Sequence, residues 1–305
     1  MIVSLDRPAL RAYAADAVAA PTFDLQSHSL ASDGALPPAL VVQAAYDAGV
    51  ELLALTDHDT VAGVDEALAA ASALGGITVI PAAEISALDG DHEDLHICAY
   101  GIDQHDPGLL IALERWRLDR HERAANMAQA LREHGLQLAL PEQPPGARPI
   151  GRPHLAQAVL EHPANAERLA REGLTDSSQV LEAYLLPGTP GYRRRTTPTV
   201  QEAIEVIHRA GGLAVWAHPF WDLDSPEEVR DTLERFQVLG LDGVEAFYIT
   251  HTREQTLLAA DAAAQLGLLT TGSADFHGPA HKLFHAFRAF DLCGRDADLG
   301  PLAPG

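Results

Sequence analysis

The chain has 305 residues, 47% of them hydrophobic and 21% charged, which is ordinary for a soluble globular protein and enough to bury a large core. A net charge of −22 excludes broad electrostatic capture of duplex nucleic acid, which needs a basic face. Residues 1–20 lack the apolar core of a signal peptide, no run approaches the ~18 apolar residues of a membrane span, and Cys98 and Cys293 make no disulfide framework; a reduced, cytoplasmic protein off the membrane is expected.

The first strand is expected at 23–25, running into His28 and the turn Ser32-Asp33-Gly34. Residues 40–48 are helical in pattern and stop at Gly49. Residues 51–56 (ELLALT) read as a buried strand with Asp57-His58-Asp59 at its C-terminal end. An Ala-rich helix at 61–74 stops at Gly75-Gly76, and a strand at 77–80 puts Glu84 just beyond it. Residues 94–100 (DLHICAY) form a strand carrying His96. Strands alternating with helices indicate a parallel sheet or barrel.

The alternation breaks at 106. Residues 107–134 form one long Arg-rich amphipathic pattern closed by Gly135, and 141–153 read as a Pro/Gly loop. Short helices are expected near 155–160, 165–171 and 177–185, then an irregular stretch at 187–198 containing Arg193-Arg194-Arg195. Residues 106–198 therefore read as a helical insertion between two barrel parts, 1–105 and 199–305. Residues 106–205 hold 12 of the 21 basic and 13 of the 43 acidic side chains, leaving 9 basic against 30 acidic elsewhere. Only this segment can offer side-chain cations to an anionic substrate.

The alternation resumes with the capping box Thr199-x-x-Glu202, opening a helix at 200–210. A strand at 213–217 ends at His218-Pro219. A second capping box, Ser225-Pro226-x-Glu228, opens a helix to about 239. A strand at 243–248, a helix at 252–266 and a strand at 268–271 follow, then GSADFHG at 272–278 and a final strand at 284–290.

Imidazoles and carboxylates thus recur at one end of successive strands: His28, Asp33, Asp57, His58, Glu84, His96, His218, Asp275 and His277. Ligands gather at that end in parallel α/β folds. Singly, each has an ordinary reading: Asp33 as a turn residue, Asp57 as a helix cap, His96 as a core histidine, His218 as a strand exit. Jointly they indicate a metal site of His nitrogen and carboxylate oxygen, which suits Zn, Mn or Fe; no thiolate is placed for a Cys-type zinc site.

The motifs DLQSHSLASDG, LTDHDT, PAAEIS, DLHICAYGID, AHP and GSADFHG resemble those of the PHP (polymerase and histidinol phosphatase) family of metal-dependent phosphoesterases, over about 22–105 and 200–280. GRPHLA and LLPGTPGY in the inserted segment resemble the subgroup that removes the 3′-phosphate of nucleoside 3′,5′-bisphosphates or trims short RNA from its 5′ end. The resemblance implies a distorted (β/α)7 barrel with two or three divalent ions. Gln26, His28, Glu84 and Asp275 would hold one ion, Glu84, His96 and His218 a second, and Asp33, His58 and His277 a third. Position 26 departs from the family's His-x-His: a Gln carbonyl is a weaker, neutral ligand, so that site is expected to bind less tightly, or Gln26 to turn away behind the ligands.

The implied roles put Glu84 beside the nucleophile, His58 and His277 near the leaving oxygen, and Asp59 either in proton handling or at a helix cap. Arg152 and His154 are expected on the substrate phosphate, with Tyr192 and Arg193 as second choices; the Arg193–Arg195 run otherwise reads as surface. Phe220 or Trp221 stacks on a base or belongs to the core or rim. His92, His281 and His285 read as surface. The implied substrate is a small phosphorylated nucleotide or short single-stranded RNA. The alternatives are a histidinol-phosphate type of monoester and a metal-impaired module that binds a nucleotide without hydrolysing it.

Overall fold

The computed structural model describes residues 21–140 and 150–303. The expectations for 1–20, and for 141–149 of the Pro/Gly loop, lie outside these residues. Seven strands form one sheet in chain order: β1 (Phe23–Asp24), β2 (Leu52–Leu55), β3 (Thr78–Asp89), β4 (His92–Tyr100), β5 (Leu213–Trp216), β6 (Gly243–Tyr248) and β7 (Leu269–Ser273). The ends meet. Leu25 N–H donates to Gly272 O at 3.1 Å and His28 N–H to Phe276 O at 2.8 Å, so the sheet curls into a nearly closed α/β barrel. Strands β2 and β6 are buried on both faces, which is why β2 reads as a continuous apolar run.

The helices are α1 (Pro38–Asp47), α2 (Val64–Leu74), α3 (Pro107–Glu133), α4 (Arg152–Glu161), α5 (Ala166–Glu172), α6 (Ser177–Tyr184), α7 (Val200–Arg209), α8 (Pro226–Val238) and α9 (Arg253–Leu266). Thr199 and Glu202 cap α7 reciprocally. At α8 only half of the expected box forms: Ser225 Oγ accepts from Glu228 N–H, while the Glu228 carboxylate turns to His92 at 3.4 Å.

Two expectations need correction. Strand β3 does not stop at Ile80. It runs through Glu84 to Asp89, turns at Gly90-Asp91 and returns as β4, antiparallel to both β3 and β5. Gly90 adopts φ +57°, the left-handed backbone a tight hairpin requires. Glu84 therefore lies in mid-strand, opposite Cys98. No strand forms at 284–290, because β7 is already bonded on both sides, to β6 and to Leu25. Arg288 there takes φ +62°, and its N–H donates to Asp24 Oδ2 at 2.8 Å.

Helix α3 is shared between two hydrophobic cores. Leu109, Ala112, Leu113 and Trp116 pack into the barrel-side core with Ile207 and Trp216. Met127, Ala128 and Leu131 pack with Leu155, Val159 and Val180 of α4 and α6. Among the described residues no helix is long and apolar enough to cross a membrane. Trp116 is fully buried at the barrel-side end of α3. Trp116→Ala is expected to lower stability by about 3–5 kcal/mol, measured by urea unfolding; a loss below about 1 kcal/mol would mean that α3 does not dock there.

Candidate metal centre

The strand ends converge on Glu84, which is fully buried. His96 Nδ1 lies 2.7 Å and His218 Nε2 3.1 Å from Glu84 Oε1; His28 Nε2 lies 3.2 Å and His58 Nδ1 3.4 Å from Oε2. Asp275 Oδ1 sits 3.0 Å from His28 Nε2. Asp33 lies at 3.5–3.6 Å from His28, His58 and His277. Imidazole rings stack in series, with centroids 4.3 Å apart for His28–His277 and 4.6 Å for His28–His58. His28, Glu84, His218 and Asp275 form a buried floor, and Asp33, His58, His96 and His277 a partly open rim.

Local chemistry fixes each contributor. Asp57, weighed as a helix cap, instead accepts from Ser29 N–H and Ser29 Oγ at 2.7 Å and from Ser32 Oγ at 2.6 Å, pinning the loop that carries His28 and Asp33. Gly34 closes that loop against the His28 carbonyl: a Cβ there would lie 2.1 Å from the oxygen. Asp59, His218 and Asp275 hold left-handed backbones at φ +54°, +30° and +54°, a strain that side chains at functional sites commonly carry. Glu245 secures the second of them by accepting from His218 N–H at 2.9 Å, and Tyr248 OH donates to Asp275 Oδ2 at 2.8 Å. Sequence reasoning missed both supports; a lone Glu and Tyr inside an apolar strand, GVEAFY, were their only signal.

The charge states follow from burial and neighbours. Burial opposes ionisation of Glu84, but the surrounding imidazoles outweigh it and hold the carboxyl well below its usual range. Burial likewise disfavours charge on His28 and His96, yet the adjacent carboxylates win: His28 is pushed well above its usual range, and His96 up to about 9. Burial takes His58 down to about 4 and lowers His277. The floor carboxylates thus require positive charge, supplied by protonated imidazoles or by cations in their place.

Divalent cations fit this set. His28 Nε2, His58 Nδ1, Glu84 Oε2 and Asp275 Oδ1 are buried and converge, but none is aligned in a hydrogen bond. Ligand atoms of His28, Asp33, His58 and His277, and separately of His58, Glu84 and His96, lie within 4.8 Å of one another. His58 thus belongs to both groups, where the resemblance placed it in one. Gln26 is buried beside them in sequence, and neither of its side-chain polar atoms has a partner among the described residues. All donors are nitrogen or oxygen, the set that suits Zn, Mn or Fe. Cys98 and Cys293 are both free and buried.

The rim opens into a cavity of about 410 Å³. Asp33, His58 and His96 form one wall. Arg120, Arg123, Arg152 and Arg195 line it too, all from the segment singled out for its cations. Asp59 sits between the two walls: Ser86 N–H donates to Oδ1 at 3.0 Å, and Oδ2 takes Ser86 Oγ and the Arg120 guanidinium. It does not cap α2, whose N-cap is Gly63. Burial would raise its pKa, but Arg120 and Arg195 outweigh burial and lower it, which suits an acceptor that orients Arg120 better than a proton donor.

Arg152 and His154 line the cavity, Arg152 donating to Asp94 Oδ2 at 2.9 Å, while His154 Nδ1 caps α4 by accepting from Gly151 N–H. Tyr192 and Arg193 are not brought to it. Tyr192 OH is tied to Glu93, and Arg193 donates to its neighbours' carbonyls, Pro190 O and Tyr192 O. Phe220 is half-buried with its ring against His251, whereas Trp221 is 56% exposed, 6.3 Å from the His218 ring. His281 and His285 are exposed.

The chain resembles known proteins over most of its length. The PHP domain family model matches residues 24–172. The chain is 35% identical to the 3′,5′-nucleoside bisphosphate phosphatase of Chromobacterium violaceum, over 84% of this chain and 87% of that protein. It is 33% identical to a 5′-3′ exoribonuclease of Haemophilus influenzae, over 84% of this chain and 90% of that one. A solved structure of a candidate metal-dependent phosphoesterase from Bifidobacterium adolescentis superposes with a TM-score of 0.66 at 26% identity, covering 90% of this chain and 98% of the other. Likeness at that level, over most of both partners, makes this chain a member of the PHP family and a metal-dependent phosphoesterase.

Proposed function

We propose that the chain removes phosphate from a small nucleotide, acting on the 3′-phosphate of nucleoside 3′,5′-bisphosphates or on short 5′-phosphorylated RNA. One observation carries this reading: the imidazole–carboxylate cluster and four arginines share a single cavity of a size that holds a nucleotide. The names of the relatives, a bisphosphate phosphatase and an exoribonuclease, support the same substrate class.

His28, Glu84 and Asp275 with Gln26, Glu84 with His96 and His218, and Asp33 with His58 and His277 would hold two or three divalent ions, Mn, Zn or Fe. Bound there, such ions lower the pKa of water and neutralise phosphoryl oxygens. The chain does the rest. Glu84 gathers the imidazoles on either side of one carboxylate. Asp59 holds Arg120 toward the cavity, and Arg152 and His154 meet phosphate oxygens from α4; a planar guanidinium suits that contact. The described residues of the inserted segment, 106–140 and 150–198, act as a cap that covers the substrate, with the first turns of α3 anchoring it to the barrel.

Release of phosphate from adenosine 3′,5′-bisphosphate in the presence of manganese, with histidinol phosphate as comparison, is the direct test; turnover of histidinol phosphate alone refutes the nucleotide assignment. Glu84→Gln is expected to lower bound metal and to cut kcat by more than about 100-fold, read by elemental analysis and by assay of the same preparation. Gln26→His is expected to raise the metal bound per chain at limiting metal, since imidazole replaces a neutral amide oxygen; unchanged metal content would place Gln26 outside the ligand set.

A further inference from the structure

Gln26 is only 1% exposed, and neither its amide oxygen nor its amide nitrogen has a partner among the described residues. Buried polar atoms without partners are costly, and an apolar side chain would avoid that cost. The backbone shows what Gln26 faces. Ser27 and Phe276 form a parallel bridge, and His28 N–H donates to Phe276 O at 2.8 Å. Side chains alternate along extended chain, so Gln26 and His28 share one face, level with Asp275 and His277 across the bridge. Phe276 takes the opposite face, buried with Val41 and Leu53. His28, Asp275 and His277 already meet at the metal centre, and Gln26 is the fourth member of their face.

The donors are then divided unevenly about Glu84. Beside Oε1 stand two imidazole nitrogens, His96 Nδ1 at 2.7 Å and His218 Nε2 at 3.1 Å. Beside Oε2, the Gln26 carbonyl joins His28 Nε2 and Asp275 Oδ1, while His58 reaches the rim groups with Asp33 and His96. Asp275 offers only that one oxygen, because Tyr248 OH donates to the other at 2.8 Å. The floor position around Gln26 is therefore richer in oxygen than in nitrogen. Carbonyl and carboxylate oxygen suit Mn or Mg, whereas imidazole suits Zn or Fe. A histidine at position 26 would remove this difference.

We propose that Gln26 makes this a mixed-metal centre: the floor position beside Gln26, His28 and Asp275 takes an oxygen-preferring cation, manganese or magnesium, and exchanges it readily, while the imidazole-rich side of Glu84 retains zinc or iron. The amide oxygen is the ligand that sets the preference, and its lack of charge keeps the binding weak. This rests on the divalent-metal reading above, which survives if the assignment of Gln26 fails.

The test uses wild type, Gln26→His and Gln26→Glu, each loaded with one equivalent of zinc and then titrated with manganese. Electron paramagnetic resonance reads free manganese, elemental analysis reads both metals on the protein, and thermal melting confirms that each variant is folded. The quantity compared is the added zinc that displaces half of the bound manganese. Gln26→His is expected to lower it by about tenfold or more, since a nitrogen donor favours zinc. Gln26→Glu, which keeps an oxygen donor, is expected not to lower it. An unchanged value in Gln26→His, or an equal fall in both variants, overturns the proposal. A wild type that keeps zinc but binds no manganese also overturns it and leaves the divalent-metal reading standing. A wild type that retains neither metal overturns both.

Discussion

One buried carboxylate organises this molecule. Glu84 is removed from water in the middle of β3, and four imidazoles from four separate parts of the chain approach its two oxygens. A carboxylate cannot remain ionised there without positive charge close by. His28 and His96 can carry that charge as imidazolium, and divalent cations can carry it better, because the convergent lone pairs otherwise lack partners. Stability and chemistry are therefore coupled at one point: the feature that makes the centre reactive is also the one that most needs compensation.

The barrel supplies the convergence, and its one irregularity supplies the carboxylate. Parallel strands deliver side chains at their C-terminal ends, as β1, β2, β5 and β7 do here with His28, His58, His218 and Asp275. The reversed strand β4 cannot present ligands that way. It works as the second arm of a long hairpin, with Glu84 and His96 both inside strands, where the ladder holds them rigidly. Behind this layer stand Asp57, Glu245 and Tyr248, whose polar atoms are spent on positioning. Precision of this kind comes from rigid elements with a supporting shell, not from the ligands themselves.

The candidate ligand set is legible in the sequence because imidazoles and carboxylates recur at the same end of successive apolar strands, where parallel α/β folds gather ligands. His58 after ELLALT and His218 after LAVWA stand out for that reason. Strand order is legible from the alternation. The hairpin is not, although Asp89-Gly90 is a turn signal, because two strands joined directly break the strand–helix rhythm that the rest of the barrel keeps. The arginines are harder. Arg120 lies in a long amphipathic pattern and Arg195 in a triple-Arg run, and both patterns usually describe solvated faces. What separates Arg195 from Arg193 and Arg194 is burial against Asp94 and Ser86, residues about 100 positions away, which no local pattern reports. Tyr192 misleads for the converse reason: its neighbourhood looks like a phosphate-binding stretch, but the hydroxyl is consumed by Glu93.

The charge of the whole chain bears on how substrate is chosen. A protein at −22 repels nucleotides and RNA at long range, and that repulsion fades beyond about 8 Å at physiological ionic strength. Attraction must then be short-ranged and lie inside the cavity. The arginines meet this demand only because Asp59, Asp94 and Glu93 hold them in place. Those carboxylates cancel much of the distant field while leaving four guanidiniums along the cavity. A loose basic patch would have captured any polyanion. Oriented guanidiniums in an acidic shell favour a ligand that can enter the cavity and match them over one attracted only by a diffuse field.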